Sequence, residues 1–162
     1  VVRQALDICD HYSKDNGIIH THTFKITNAI QDRVGSNKRF LFREAGITNE
    51  QIVEEHFLRN DHTVLVSPSL GLGTDLYGDH GRFQIIMKLP YPPLGNKRIK
   101  ILASRDKKWY TMKMLTKLLQ MTGRCTRDEK DFSDTFILDG SALCILKNNW
   151  NNLPLWFKDR LQ

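Results

Sequence analysis

The residues best suited to chemistry form a Gln-x-x-Gly-Arg-x-x-Arg pattern, made by Gln120, Gly123, Arg124 and Arg127. If the preceding helix runs on through this pattern, the amide and the two guanidinium groups share one helical face. Arginine presents a rigid fork of donors and stays charged, which suits it to phosphate and to the charge that develops during phosphoryl transfer. Gly123 has no side chain, so a nucleotide or another backbone segment can come close. The pattern predicts a phosphate-directed site.

The charge around this pattern favours the same interpretation. The net charge is +6, and residues 97–130 contain eleven Lys or Arg against three acidic residues, so this stretch holds the whole positive excess. Clustered positive charge indicates a polyanionic partner, either nucleic acid or a nucleotide. The alternative is a solvated basic helix whose arginines favour the C-terminal dipole.

Length and composition restrict the class of protein. The 162 residues, 40% hydrophobic and 26% charged, predict one soluble globular domain over 1–162. No run approaches the roughly 18 apolar residues that a membrane span needs. Cys9, Cys125 and Cys144 have no C-x-x-C spacing and the histidines are scattered, so we expect neither a disulfide framework nor a metal site. A cytoplasmic location fits best.

The elements that must position these residues alternate along the chain. Apolar periodicity predicts helices over 2–13, 24–34, 49–58, 95–106, 109–121 and 141–150, and strands over 18–23, 39–43, 63–67, 83–87 and 135–138. Thr48 and Gln51 have capping-box spacing at the start of the third helix. This alternation predicts an α/β fold with a mostly parallel sheet. Residues 21–23, the loop 67–75 and the residues after Pro90 should then open on one side of the sheet.

The glycine-rich loop after the third strand does not form a nucleotide cradle. It starts as Gly71-Leu72-Gly73 but has Leu76 where a dinucleotide fingerprint has its last glycine. Gly73 and Gly78 have the spacing of a Walker A loop, yet Asp79 and His80 follow instead of lysine and a hydroxyl residue. We therefore expect no nucleotide hydrolysis by this chain alone.

These residues together resemble the second RecA-like domain of superfamily 2 helicases, most closely the branch that includes DinG and XPD. Residues 17–24 look like helicase motif IV, residues 66–75 like motif V, and residues 120–127 like motif VI. Residues 82–92 are similar to the strand and Pro-Tyr-Pro turn that follow motif V in such proteins. The family usually has glutamate before the motif V glycine, where this chain has Leu72. The resemblance implies a RecA-like three-layer sandwich with helices on both faces of the sheet.

The resemblance also implies a mechanism. ATP and Mg²⁺ would bind mainly to a first RecA-like domain with Walker A and B motifs, which are absent from this chain, and this domain would close over them. Arg124 and Arg127 would stabilise charge on the γ-phosphate. The remaining assignments place Gln120, Gly123, Gly73 and Asp75 at the nucleotide, and Thr21, Thr23, Ser67 and Thr74 on single-stranded DNA or RNA.

Two classes of function remain open from the residues. The first is the C-terminal motor domain of an ATP-dependent DNA helicase or translocase, with an RNA-dependent or double-strand translocase of the same fold as a variant. The second is a non-enzymatic nucleic-acid-binding module that kept the fold, which Leu72 would permit. A Walker A motif elsewhere in the full protein distinguishes a motor from a module.

Overall fold

The computed structural model describes residues 1–43, 46–59, 61–68, 76, 78–123, 125 and 131–161. Five strands form its sheet: β1 (Gly17–His20), β2 (Phe40–Phe42), β3 (Val64–Ser67), β4 (Phe83–Ile86) and β5 (Asp134–Ile137). The helices are α1 (Val2–His11), α2 (Phe24–Val34), α3 (Asn49–Leu58), α4 (Lys97–Arg105), α5 (Lys107–Thr122), α6 (Ala142–Asn148) and α7 (Leu155–Lys158). Short 3₁₀ turns lie at Gly78–His80 and Trp150–Asn152.

The strand order is β2-β3-β1-β4-β5, and each neighbouring pair is parallel. This confirms the predicted α/β fold with a parallel sheet. Because all five strands run the same way, their carboxyl ends share one edge of the sheet and their amino ends share the other. We call these the carboxyl edge and the amino edge. Ligands in open parallel sheets usually bind outside the carboxyl edge.

Helices cover both faces of the sheet because alternate strand residues point to opposite sides. On one face Ile19, Val66 and Ile85 pack against Ala5 and Cys9 of α1 and Ile30 of α2. On the other face two buried clusters lie side by side. One joins Ile86 to residues of α5, α6 and α7, and the other joins Ile18 and Leu65 to Ile52 of α3, together with Leu76 and Cys125.

Capping side chains explain where the helices begin. Thr48 and Gln51 form both bonds of the predicted capping box at α3. Asn96 accepts hydrogen bonds from the backbone N–H groups of Arg98 and Ile99, and Asp106 accepts one from Trp109. These caps start α4 at Lys97 and α5 at Lys107, whereas apolar periodicity predicted starts at 95 and 109. Among the described residues, no helix has the length and apolar character to cross a membrane.

Candidate functional site

The helix that precedes the Gln-x-x-Gly-Arg-x-x-Arg pattern ends inside it. α5 stops at Thr122, and the Gly123 N–H donates to the Leu119 carbonyl at 3.2 Å to close the last turn. Gln120 and Gly123 are exposed. The helical face suggested for an unbroken helix is therefore seen only as far as Thr122, and its continuation to the two arginines stays a prediction. Arg124 and Arg127 lie outside the described residues.

A buried glutamine fixes the end of α5 to the sheet. Gln84, in β4, is fully buried, and its Nε2 donates to the Thr122 carbonyl at 3.2 Å and to Thr135 Oγ1 at 2.9 Å. Its Oε1 is buried without a hydrogen-bond partner in the described structure. Unsatisfied carbonyl groups are a general cost of ending a helix, and Gln84 satisfies one of those at the end of α5. The position of Gly123 is thus set by β4.

Arg82 forms a hydrogen-bond network that holds Asp131, the residue at the other end of the segment that contains the two arginines. Arg82 precedes β4 and donates to Asp79 Oδ1 at 2.6 and 3.1 Å, to Asp131 Oδ1 at 3.1 Å and to the Phe132 carbonyl at 3.2 Å. Asp131 also accepts from the Gly78 N–H at 3.1 Å. Since the Asp131 side chain is 10% exposed and that of Arg82 19%, water screens this pair less than an open surface pair. Residues 123–131 are therefore anchored at both ends.

A close approach at Gly81 joins this region to the end of the glycine-rich loop. A Cβ built on Gly81 would overlap the Leu76 carbonyl oxygen and would lie 3.0 Å from Leu76 Cβ and 3.2 Å from Cys125 Sγ. Leu76 and Cys125 are both buried. The residue after the glycine-rich loop, the start of β4 and the residue after Arg124 therefore pack together near the amino edge. Gly73, Thr74 and Asp75 lie outside the described residues.

The predicted nucleic-acid residues of the first and third strands meet at the carboxyl edge. The Thr21 N–H donates to the Ser67 carbonyl at 3.0 Å, which extends the β1–β3 pairing by one residue. Thr23 is exposed and caps α2 by accepting from the Ile26 N–H at 3.3 Å. The structure thus brings Thr21, Thr23 and Ser67 together at one edge, as expected from parallel strands. Their contact with nucleic acid stays a prediction.

These three residues differ in how accessible they are. Thr21 is fully buried, and its hydroxyl lies 2.6 Å from the Thr27 hydroxyl, which itself donates to the Thr23 carbonyl at 3.2 Å. Ser67 is 5% exposed. Thr21 and Ser67 are therefore buried at this edge, whereas Thr23 presents its side chain to solvent at the start of α2.

Sequence analysis did not single out three further residues near this edge: His22, Lys88 and Lys117. His22 has φ +64°, a left-handed conformation that is uncommon for residues other than glycine and often marks functional loops. Burial, together with the positive charges of Lys117 and Lys88, lowers the pKa of His22 below its ordinary value. The imidazole is therefore mostly neutral at pH 7. The sequence contains one sign of this group: Lys88, a charged residue, directly follows an apolar strand.

Buried His56 links α3 to residues at the amino edge. His56 Nε2 donates to the His80 carbonyl at 2.8 Å, so its Nδ1 is free to accept from Thr63 Oγ1 at 2.6 Å. These two bonds tie α3 to the start of β3 and to the 3₁₀ turn before Gly81. Burial is the main cause of the lowered pKa of His56, partly offset by its bond to His80. The neutral form is the one that fits this site.

This histidine predicts an acid-sensitive fold. Because the pKa of His56 is lower in the folded than in the unfolded chain, the unfolded chain binds more protons below about pH 6.5. The contribution of His56 to the free energy of unfolding should therefore be complete above that pH. As the pH decreases below it, the free energy of unfolding should fall by up to about 1.4 kcal/mol per pH unit. His22 acts in the same direction. Urea unfolding at pH 7.5, 6.5, 5.5 and 5.0 measures the effect.

The matched variant for this test is His56→Gln. It should be less stable at pH 7.5 but show a shallower pH dependence, leaving the part due to His22. Equal slopes in the two proteins between pH 6.5 and 5.0 would contradict the assignment of the acid sensitivity to His56.

No group of three or more potential metal ligands occurs among the residues that the structure describes. The candidate site consists of two regions instead. Thr122 and Asp131 are bonded to Gln84 and Arg82 at the amino half of β4, and the polar residues after β1, β3 and β4 lie at the carboxyl edge. The segment 68–76 connects the two regions, since it leaves β3 at the carboxyl edge and ends at Leu76 beside Gly81.

Comparison with known proteins identifies the family and the fold. A family model described as the helicase C-terminal domain matches residues 6–160. A structure of apo XPD superimposes with a TM-score of 0.67 at 20% sequence identity, covering 91% of this chain and 33% of that one. Xpd4 from S. tokodaii gives a TM-score of 0.56 at 13% identity, covering 93% of this chain and 31% of that one. A search of curated proteins found no significant match.

These findings confirm the resemblance that the motifs predicted. The chain spans about a third of the length of the two XPD structures, and its RecA-like fold is shared with them. The family model covers nearly all of the sequence, including the three motif regions. The chain belongs to the family of helicase C-terminal domains and shares its fold with the XPD structures.

Proposed function

We propose that this chain is the C-terminal motor domain of an ATP-dependent DNA helicase or translocase, in which it supplies arginine fingers and part of the track for single-stranded nucleic acid. The observation that carries the proposal is the double anchoring of residues 123–131. Gln84 holds the helix end before the first arginine, and Arg82 holds Asp131 after the second. Catalytic groups need such positioning, because an arginine finger acts only when it is placed on the transferred phosphoryl group.

At the nucleotide, the chain's own contribution would be charge and hydrogen bonding. Arg124 and Arg127 would bind the γ-phosphate oxygens as charge develops on them, and the exposed amide of Gln120 would help position the phosphate. Gly123 would let the nucleotide approach the end of α5. Gly73 and Asp75 are proposed at the same nucleotide. Mg²⁺ would be held mainly by the first RecA-like domain, as a counter-charge for the phosphates.

At the carboxyl edge, the chain would hold the sugar-phosphate backbone of a single strand. Thr23 is exposed at the N-terminus of α2, where unpaired backbone N–H groups and the helix dipole favour an anionic phosphate. Ser67 and Thr74 would act on the neighbouring phosphates. Because the segment 68–76 joins this edge to the region beside Gly81, closure over a nucleotide would move the strand-binding edge with it.

One feature favours a second candidate, a non-enzymatic nucleic-acid-binding module. Leu72 occupies the position before the motif V glycine where the family usually has glutamate. Without that carboxylate, nucleic-acid binding and hydrolysis could be uncoupled while the fold is retained. An RNA-dependent or double-strand translocase would share the nucleotide chemistry and differ in the preferred strand.

Steady-state ATP hydrolysis tests the proposal and separates these candidates. The full-length protein should hydrolyse ATP, faster with a single-stranded DNA such as dT20, whereas this chain alone should hydrolyse none because it has no Walker A loop. A module would bind dT20 without any turnover. An RNA-dependent enzyme would respond to rU20 and not to dT20.

A further inference from the structure

The carboxyl edge carries a second group of polar side chains beyond the threonines and serine already described. Met87 N–H donates to the His20 carbonyl at 3.0 Å, so the residue after Met87 and the residues after His20 leave neighbouring strands together. Those residues are Lys88, which is exposed, and His22, which is partly buried. Pairing of β1 with β3 on one side and with β4 on the other makes the edge continuous from Ser67 to Lys88.

Lys117 of α5 is the third residue of this group. Lys117 precedes Leu118, and Lys88 precedes Leu89. Leu89 and Leu118 belong to one buried cluster, and α5 runs beside β4 from Tyr110, stacked on Tyr91, to Thr122, bonded by Gln84, so exposed Lys117 lies on the helix that flanks the end of β4. The effect of both lysines on the imidazole of His22 agrees with this proximity.

Local bonds keep this group in place. The Leu89 N–H donates to Asp139 Oδ2 at 3.0 Å, and the other carboxylate oxygen of Asp139 accepts from Ser141. The stacked rings of Tyr91 and Tyr110, 5.1 Å apart, hold the turn after Lys88 against α5. Asp139 is committed to these backbone and hydroxyl donors, and neither lysine forms a salt bridge with any of the described residues. Within the described part of the chain neither ammonium group is held in an ion pair, although the charge of Lys88 interacts with that of Asp139.

We propose that Lys88 and Lys117, with His22 between them, form a phosphate-binding extension of the nucleic-acid track, which takes the phosphodiester backbone of a single strand as it passes from β1 across β4 towards α5. The inference rests on the proposed function. Three features support it: two exposed lysines whose following leucines share one buried cluster, the left-handed His22 after the strand next to that of Lys88, and continuity with the edge that carries Thr23. Lysine binds phosphate as a point charge, so the contacts should be independent of base sequence.

The test is the salt dependence of dT20 binding to the full-length protein without nucleotide. Each phosphate contact to a single strand adds about 0.7 to the slope of log affinity against log salt concentration. The double variant Lys88→Gln/Lys117→Gln should therefore lower that slope by about 1.4 and weaken binding at low salt. Lys14→Gln, an exposed lysine before β1 at the amino edge, is the matched control and should leave the slope unchanged.

Each outcome decides a separate question. No salt-dependent binding of dT20 by the wild-type protein would overturn both the proposed function and this inference. Wild-type binding with DNA-stimulated hydrolysis, combined with an unchanged slope in the double variant, would overturn the inference alone. A raised KM for ATP with an unchanged DNA slope would assign the lysines to the nucleotide and also overturn it. A loss of about 0.7 in slope for Lys14→Gln, half that expected for the double variant, would show a general charge effect and overturn it as well.

Discussion

Replacing either Arg124 or Arg127 by alanine in the full-length protein should abolish ATP hydrolysis and spare most of the affinity for single-stranded DNA. An arginine finger contributes about 10³- to 10⁵-fold in rate, so loss of one guanidinium should leave turnover near background. DNA affinity should persist because the proposed strand contacts lie at the carboxyl edge, whereas Thr122 and Asp131, on either side of the arginines in sequence, are bonded at the amino half of β4. Steady-state hydrolysis at saturating dT20, together with dT20 titrations, measures both quantities.

Two variants make this test specific. Arg124→Lys keeps the charge but loses the planar fork, and it should recover only a small part of the rate. Arg33→Ala removes an exposed arginine from the last turn of α2 and should leave hydrolysis unchanged. Normal turnover in both Arg124→Ala and Arg127→Ala would exclude them as arginine fingers.

Gly81→Ala should be among the most destabilising single-methyl changes in the domain. The added Cβ would overlap the Leu76 carbonyl oxygen, a backbone atom, and would press on buried Cys125. Neither neighbour has a flexible end that could rotate away, and overpacking of this kind costs about 1–3 kcal/mol. Since Cys125 directly follows Arg124, the same shift should lower ATP hydrolysis by the full-length protein.

Urea unfolding at pH 7.5 measures the loss of stability, with Gly95→Ala as the control. A Cβ on Gly95 would meet nothing within 4 Å, so this substitution should change the midpoint little. A Gly81→Ala protein with wild-type stability and activity would show that the contact between Leu76, Gly81 and Cys125 does not position the arginine segment.

The fold was largely predictable because its signals are local. Buried parallel strands appear as short apolar runs, and the capping pair Thr48 and Gln51 located the start of α3 correctly. The starts of α4 and α5 were missed by two residues each because Asn96 and Asp106 cap them, and a single capping residue is a weaker signal than a full box. Strand β1 ends at His20, three residues before its predicted end, because the left-handed His22 turns the chain away.

The candidate site was predictable in its residue types and less so in its arrangement. Motif matches identified Gln120 to Arg127, but periodicity could not show that α5 ends at Thr122. The anchors Gln84, Arg82 and Asp131 act through contacts about 40 to 50 residues apart, which no sequence window contains. Gln84 was still visible as one polar residue in the apolar run of β4.

Residue spacing also could not predict which side chains are exposed to solvent. Thr21 and Thr23 are two residues apart in one predicted strand and were assigned the same role. The structure buries the hydroxyl of Thr21 against Thr27 and leaves Thr23 exposed at the start of α2. Side chains at i and i+2 share a face only while the strand continues, and here it has already ended.

We propose that this chain is one half of a two-part ATPase whose other half lies elsewhere in the full-length protein. The decisive measurement is ATP hydrolysis by the full-length protein and by this chain alone, each titrated with dT20 under the same conditions. We expect turnover that rises to saturation with dT20 for the full-length protein and none for the chain alone. DNA-stimulated hydrolysis by the chain alone, or none by the full-length protein with any nucleic acid, would contradict it.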